Sequence, residues 1–473
     1  MRGFNTCESD FDPPMTTSIV HYPALLAELR ANFNAGKTRS LEWRRDQLEA
    51  LDALMKDNEP AIEQALAADL SKPAHEVQLE IGLLYAEIKH AKHRLSRWTR
   101  RRKVTTPLIG QPGVSWVQPE PLGVVLIMSA WNYPIQLLFG PLIPALAAGN
   151  AALLKPSEIA SHSSRLIAEL VPKYLDERAV RVVEGAVEET TALLKLRFDH
   201  IFYTGGAKVG RIVMRAAAEH LTPVTLELGG KSPCVVDQGA DIRSAARRLV
   251  WGKTLNAGQT CIAPDYVLVH PEEREALVTA MKEELESMYG QDRLSSSDYC
   301  KIINRGHFDR LVGYLDSGQI AIGGKTDNEA ARIEPTVLTE VSADEPIMQE
   351  EIFGPILPIL ESDSLDESIE FIRNREKPLA AYLFTRSTAT ENRFVERVSA
   401  GSMCINDVIF FMSVPDLPFG GVGESGIGSY HGQAGFDRLS HLKSVMRRGR
   451  WPEISIRFAP YTQFKTKLLK WMS

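Results

Sequence analysis

What this 473-residue chain has little of excludes several kinds of protein. Its five cysteines, Cys7, Cys234, Cys261, Cys300 and Cys404, are widely spaced and form no C-x-x-C pair. A disulfide framework and a zinc site are therefore not expected, and free thiols in a reducing compartment, the cytoplasm, are. Positive charge is in deficit: Lys and Arg number 54 against 60 Asp and Glu, a net charge of −6. General affinity for nucleic acid or an anionic membrane is not expected. Nowhere do about 18 apolar residues run together, as a transmembrane anchor needs. The nearest approach, Leu122–Ala130, reads as a buried strand. The opening MRGFNTCESDFDPPM lacks the apolar stretch of a secretory signal and reads as a flexible leader over residues 1–21, with Met15 as an alternative start.

The chain that follows is patterned. Apolar residues recur at three and four over Arg44–Lys56, Ala61–Asp69 and Val77–Trp98, which predicts helices. Val104–Gly123 is broken by Pro and Gly into short alternating pieces, as in an extended arm. From Gly123 onward apolar strands alternate with helices: strands at Gly123–Ser129, Ala151–Lys155, Ala179–Val183, His200–Thr204 and Val224–Leu228. A second alternation begins after Gly229-Gly230, with strands at Pro233–Asp237 and Tyr266–His270 and further short ones at Ile320–Ile322, Ile356–Leu360 and Ala381–Phe384. Such alternation implies an α/β chain with parallel sheets covered on both faces, and ligands gather beyond the carboxyl ends of such strands.

Four stretches carry candidate chemistry: SAWNYP (Ser129–Pro134), LELGGKSP (Leu226–Pro233), GQTC (Gly258–Cys261) and EEIFGP (Glu350–Pro355). Each by itself has a plain reading. A lone cysteine is usually a small apolar filler. An Asn before Tyr-Pro is usually a turn former. A carboxylate at a strand end can simply pair with a neighbour. TGGAKVG (Thr204–Gly210) opens a helix after a strand, as a phosphate-binding turn should, yet Gly205, Gly206 and Gly210 do not fit G-x-G-x-x-G.

Taken in order, these motifs resemble the aldehyde dehydrogenase superfamily from about residue 22 to the C-terminus. The interval of 34 residues between Glu227 and Cys261 is that family's. AWNYP, LPFGGVGESGIG (Leu417–Gly428), SYHGQAGFDRLSH (Ser429–His441) and RFAPYT (Arg457–Thr462) are similar to its class 3 branch, which includes fatty, aromatic and coniferyl aldehyde dehydrogenases. The resemblance implies two Rossmann-like parallel-sheet domains, one cofactor-binding (22–103 and 118–228) and one catalytic (229–428), plus a small β oligomerisation arm (104–117) that joins the C-terminal tail (429–473) in a homodimer.

It also implies roles. Cys261 would be the nucleophile, activated if its pKa falls from about 8.5 toward 7. Asn132 and the Cys261 N–H would hold the oxyanion, and Glu227 would activate the water that cleaves the thioester. A carboxylate there should have a raised pKa. Lys155 and Glu158 would meet the adenosine ribose, Glu351 the other ribose, and Phe353 the nicotinamide, while Gly205, Gly206 and Gly210 would let the pyrophosphate approach. Gly206 stands where many members carry serine, so a hydroxyl contact to phosphate is missing. Glu158 favours NAD, with NADP as the alternative. Trp131, Tyr133, Phe410 and Phe411 would make an apolar substrate pocket for aromatic or medium-to-long aliphatic aldehydes. His431, Cys234, Cys300 and Cys404 read as structural, and Asn406 lies near the substrate mouth. The tail FKTKLLKWMS (Phe464–Ser473) is basic and amphipathic and would pack on the chain or a partner, or else touch a membrane surface or gate the substrate. Two rival functions follow from the same motifs: a CoA-acylating relative, which often lacks the base at Glu227, and a non-catalytic protein that kept the fold.

Overall fold

The structure, a computed structural model, describes residues 19–449 and 455–472. The leader up to residue 18, with Cys7 and Met15, lies outside the described residues, as do residues 450–454 and 473 of the tail.

Four α-helices, Tyr22–Asn34, Leu41–Asp57, Glu59–Leu70 and Ala74–Trp98, precede the first sheet. The last of these buries Val77, Ile81, Leu84, Ile88, Ala91, Leu95 and Trp98 as one stripe, the 3.6-residue pattern read in the sequence. The same inward face carries three carboxylates, Glu76, Glu80 and Glu87, all buried. Burial of acidic side chains is rare unless each has a partner; Glu87 accepts from the Gly432 N–H at 2.6 Å, and the partners of Glu76 and Glu80 are described below.

The first sheet has six strands in the order Gly426–Ile427, Val224–Glu227, His200–Thr204, Val124–Met128, Ala151–Lys155, Val180–Val182. The five strands beyond Gly426–Ile427 are parallel. Val124–Met128 and Ala151–Lys155 are buried throughout, which explains their uninterrupted apolar runs. The helix Gln136–Ala148, buried on every side, lies under this sheet and ends at Gly149 (φ 89°). That left-handed residue takes glycine because a Cβ there would overlap the buried Arg44 guanidinium.

The second sheet has seven strands, in the order Gln319–Ile322, Thr336–Thr339, Ile356–Glu361, Tyr266–Val269, Pro233–Val236, Ala380–Phe384, Ser402–Ile405. All its pairings are parallel except that of Gln319–Ile322. The helix Ile242–Thr254 leads out of it into the Cys261 segment. A third sheet joins Arg102–Val104, Gly113–Pro121 and Ser440–Arg448, all antiparallel.

Several elements differ from the sequence reading. The arm is not a self-contained hairpin: the main partner of Gly113–Pro121 is Ser440–Arg448, which the sequence reading left inside the C-terminal stretch. Gly426–Ile427, placed with the second unit, returns to pair antiparallel with Val224–Glu227 in the first sheet. The helix Val187–Leu194 and the strands Thr336–Thr339 and Ser402–Ile405 were also unread. Such pairings join residues far apart in the chain, and local periodicity carries no trace of them.

Candidate active site

Asn132, Glu227 and Cys261 come from three separate places. Asn132 lies in the turn after Val124–Met128, Glu227 ends Val224–Glu227, and Cys261 follows the helix Ile242–Thr254 and a short 3-10 turn, Leu255–Gly258. The fold brings them together. The Cys261 thiol donates to Glu227 Oε1 at 3.8 Å. Asn132 Nδ2 donates to the Gln259 carbonyl at 3.0 Å, two residues before the thiol. A primary amide has a second hydrogen to offer.

Burial pushes Glu227 up to about 8, the thiol hydrogen bond pulling weakly the other way. Its Oε2 is buried with no partner among the described residues. The raised carboxyl pKa expected from the sequence is met. The lowered thiol pKa is not: burial, then the Glu227 and Glu351 carboxylates, push Cys261 well above an ordinary thiol, while its own backbone N–H pulls it down. A desolvated thiol between two acids has no cation to stabilise its anion. At neutral pH the resting pair is mostly a thiol facing a neutral carboxyl, and only the fraction with Glu227 ionised has a base beside the sulfur.

Next to the thiol is a cavity of about 150 Å³, walled mainly by apolar side chains such as Leu79, Leu137, Leu255, Ile262, Ile409 and Phe419. Tyr133 and Phe410 line it as expected. The Tyr133 hydroxyl shares a hydrogen bond of 2.7 Å with Thr260 Oγ1, and Phe410, about half exposed, packs on Trp251 at 5.2 Å near the mouth. Trp131 and Phe411 do not line it. The Trp131 indole turns the other way, onto Phe353 at 5.3 Å and His307 at 5.1 Å, because successive residues of an irregular turn point in different directions. Phe411 is buried behind the wall, 6.2 Å from Phe419 and 6.5 Å from Tyr382.

Of the residues assigned to a dinucleotide, Lys155 ends one strand of the first sheet and Gly205 and Gly206 follow another, Gly210 is in the helix Ala207–Ala218, and Glu351 and Phe353 lie in the loop ahead of Ile356–Glu361. Lys155 Nζ pairs with Glu158 Oε2 at 2.7 Å. Gly206 caps the helix Ala207–Ala218, and a Cβ on it would meet nothing within 4 Å, so the cradle is open. A Cβ on Gly210 would press on Leu228. Glu351 is buried against Gly229, where any Cβ would overlap its carboxylate, and Oε1 has no partner among the described residues. Burial and Asp265 push Glu351 up to about 8. The Ser129 and Thr204 hydroxyls, also at strand ends, are likewise buried and unpartnered. Orphaned polar atoms around an open helix N-terminus fit a nicotinamide dinucleotide.

Residues unseen in the sequence hold these groups in place. Lys72 Nζ forms a fully buried ion pair with Glu80 at 2.6 Å and donates to the Asn132 carbonyl at 3.2 Å. Glu80 Oε1 accepts from the Ile135 and Gln136 N–H groups, both at 3.1 Å. One ion pair thus clamps both arms of the Asn132 turn. Lys231 and Arg310 hold the Glu351 segment through the carbonyls of Glu350 and Ile352, at 2.9 and 2.8 Å. The available signal was the pair of acids at 76 and 80, four apart on an otherwise apolar helix face, with Lys72 just ahead of that helix. His431 is structural as expected: its ring stacks on Phe419, and burial lowers it to about 4. Asn406 proves to be a left-handed corner (φ 56°) whose Oδ1 accepts from the Thr385 N–H at 2.9 Å.

Known proteins share this arrangement. The family model "Aldehyde dehydrogenase family" matches residues 21–445. Aldehyde dehydrogenase family 3 member H1 of Arabidopsis thaliana is 49% identical over 452 residues, covering 94% of this chain and 93% of its own. The rat protein named "Aldehyde dehydrogenase, dimeric NADP-preferring" is 47% identical over 88% of this chain and 92% of its own. A solved structure titled as the substrate-bound state of Staphylococcus aureus AldH superposes with a TM-score of 0.92 at 44% identity, over 95% of this chain and 98% of that one. The chain belongs to the aldehyde dehydrogenase family and is an NAD(P)-dependent aldehyde oxidoreductase.

Proposed function

We propose that Cys261, Asn132 and Glu227 carry out the oxidation of apolar aldehydes, aromatic or medium-to-long aliphatic, to carboxylic acids. The observation that carries this is a thiol hydrogen-bonded to a buried carboxyl, with an apolar cavity on one side and strand-end polar groups on the other.

As Cys261 Sγ bonds to the aldehyde carbon, its proton passes to the ionised form of Glu227 and the carbonyl oxygen becomes an oxyanion. The free Asn132 amide hydrogen and the Cys261 N–H stabilise that charge; one such donor is worth about 3 kcal/mol. When bound, NAD(P) supplies the hydride acceptor for this chemistry, and Lys155, Glu158, Gly205, Gly206, Gly210, Glu351 and Phe353 would hold it. Loss of hydride from the Cys261 thiohemiacetal leaves a thioester. Glu227, its proton shed, takes one from water; the water oxygen adds to the acyl carbon, the S–C bond breaks, the acid leaves and the sulfur recovers a proton from Glu227. Glu227 beside the sulfur supports water rather than CoA as the acceptor. The apolar wall supports an apolar substrate, since a polar one would lose water contacts without replacement.

Residues 22–103 and 118–228 are proposed as the cofactor-binding unit, 229–428 as the catalytic unit, and 104–117 with 429–473 as the arm and tail. NAD is the favoured cofactor, because Glu158 repels a 2′-phosphate. We place the protein in the cytoplasm on its cysteine usage, and as a homodimer. The exposed apolar residues Val104, Val114 and Met446 on the third sheet, and Leu108 in the turn between its first two strands, support the dimer. Among the described residues no helix is long and apolar enough to cross a membrane.

The test is turnover with NAD and NADP against aromatic aldehydes and aliphatic ones of increasing length, followed by absorbance of the reduced cofactor. Cys261→Ser should be slower by about a thousandfold or more. Undiminished turnover in that variant would sink these roles.

A further inference from the structure

Three successive residues ahead of Cys261, namely Asn256 (φ 51°), Ala257 (φ 51°) and Gly258 (φ 72°), have left-handed backbones. Glycine is at home there; Asn tolerates it and Ala does not, so the surroundings must enforce the turn. Gly258 is fixed by close approach, since a Cβ would overlap the Gly354 carbonyl. The Asn256 N–H is held by Glu76 Oε2 at 2.8 Å, reaching in from a helix 180 residues earlier. The Asn256 side chain then donates to the Asn132 carbonyl at 2.9 Å and the Gln259 carbonyl at 3.2 Å. Gln259 O also receives the Asn132 amide, and Gln259 Nε2 returns to the Asn256 carbonyl at 3.0 Å. Glu76 Oε2 is met a second time by the Cys300 thiol at 3.5 Å. Glu76 belongs to the cavity wall, yet no step proposed for the reaction uses it.

We infer that Glu76, steadied by Cys300, is a positioning residue for the attack step: it pins the left-handed turn and thereby sets the Asn132 amide against the Cys261 sulfur. The chain of contacts runs from carboxylate to Asn256 N–H, from Asn256 amide to the two carbonyls, and from Gln259 to the nucleophile two residues on. Without an acceptor at Glu76, the Asn256 N–H is stranded in an apolar wall and the turn gains by relaxing. The Asn256 amide then leaves the Asn132 and Gln259 carbonyls, and oxyanion donor and sulfur lose their common register. Alignment is worth most in the transition state, so the loss falls on the rate of bond formation rather than on cofactor binding.

The inference rests on the reaction proposed above, and rapid mixing of enzyme, NAD and aldehyde separates the two. A wild-type enzyme that forms no reduced cofactor in its first turnover, or a Cys261→Ser variant that forms it as fast, would reject the reaction itself. Given a Cys261-dependent burst, Glu76→Met keeps the side chain's bulk and removes its acceptor. Its burst should keep the wild-type amplitude per site and slow by about tenfold or more, with NAD affinity unchanged. Glu76→Gln, whose amide oxygen accepts from the same N–H, should recover to within about threefold of wild type. A Glu76→Met burst at the wild-type rate, whether at full or reduced amplitude, would overturn the inference; reduced amplitude alone marks a purely structural role. Failure of Glu76→Gln to recover the rate would overturn it as well.

Discussion

Replacing Glu227 by glutamine should make the protein more stable, and more so as the pH rises. Glu227 is 1% exposed, and burial raises its carboxyl pKa from 4.5 to about 8. In the unfolded chain the group ionises near 4.5; in the folded chain it keeps its proton until about 8. Between those values the folded state binds more protons than the unfolded one, so stability falls as pH climbs through the window, and no penalty exists below it. Each unit is worth about 1.4 kcal/mol, so by pH 8 the cost to the wild type is on the order of 4 kcal/mol. Glutamine fills the same space without a charge and escapes it. Urea unfolding of both proteins at about pH 5, 6.5 and 8, followed by tryptophan fluorescence, measures the difference. The gain of Glu227→Gln over wild type should grow by about 3 kcal/mol from the lowest pH to the highest. A difference that stays constant with pH, or shrinks, would refute the burial argument. Kinetically the same variant, having lost the acceptor of the thiol's proton, should release its first equivalent of reduced cofactor slowly and then stall as the acyl enzyme, so the group that costs stability is the one that completes turnover.

Three further outcomes are expected. Asn132→Ala should lower the rate of the burst by about a hundredfold to a thousandfold, as loss of one oxyanion donor does, and stopped-flow absorbance checks it. Lys72→Met should destabilise the protein by about 3–5 kcal/mol, because it leaves the Glu80 charge buried and unpaired; calorimetry against wild type measures the loss. Where hydrolysis of the thioester limits turnover, kcat should rise with pH as Glu227 becomes ionised and level off above about 8, since only the ionised form accepts a proton from water. A flat profile from about pH 6 to 9 would contradict that assignment.

The chain's order of letters determined a good deal. The helix Ala74–Trp98 and the strands Val124–Met128 and Ala151–Lys155 were visible because helix and buried-strand periods are local properties. Asn132 and Glu227 stood out at strand ends and Cys261 at a helix-to-strand junction, with an interval of 34 residues between Glu227 and Cys261 that the resembled family shares. Other features exist only once the chain has folded. Trp131 was assigned to the substrate wall but faces Phe353, because side-chain direction in an irregular turn depends on dihedrals that neighbours impose. The pairing of Gly113–Pro121 with Ser440–Arg448 depends on a register that no local pattern encodes. Glu76 and Glu80 look like flaws in an apolar stripe until Asn256 N–H, Lys72 and the Ile135 and Gln136 amides arrive from elsewhere to meet them. The thiol is the sharpest case. Its identity was plain from the sequence, but the direction of its pKa was set by desolvation and by two carboxylates from distant segments. Periodicity and motif are carried by the chain itself, whereas burial, register and electrostatic environment arise from which remote parts it folds against.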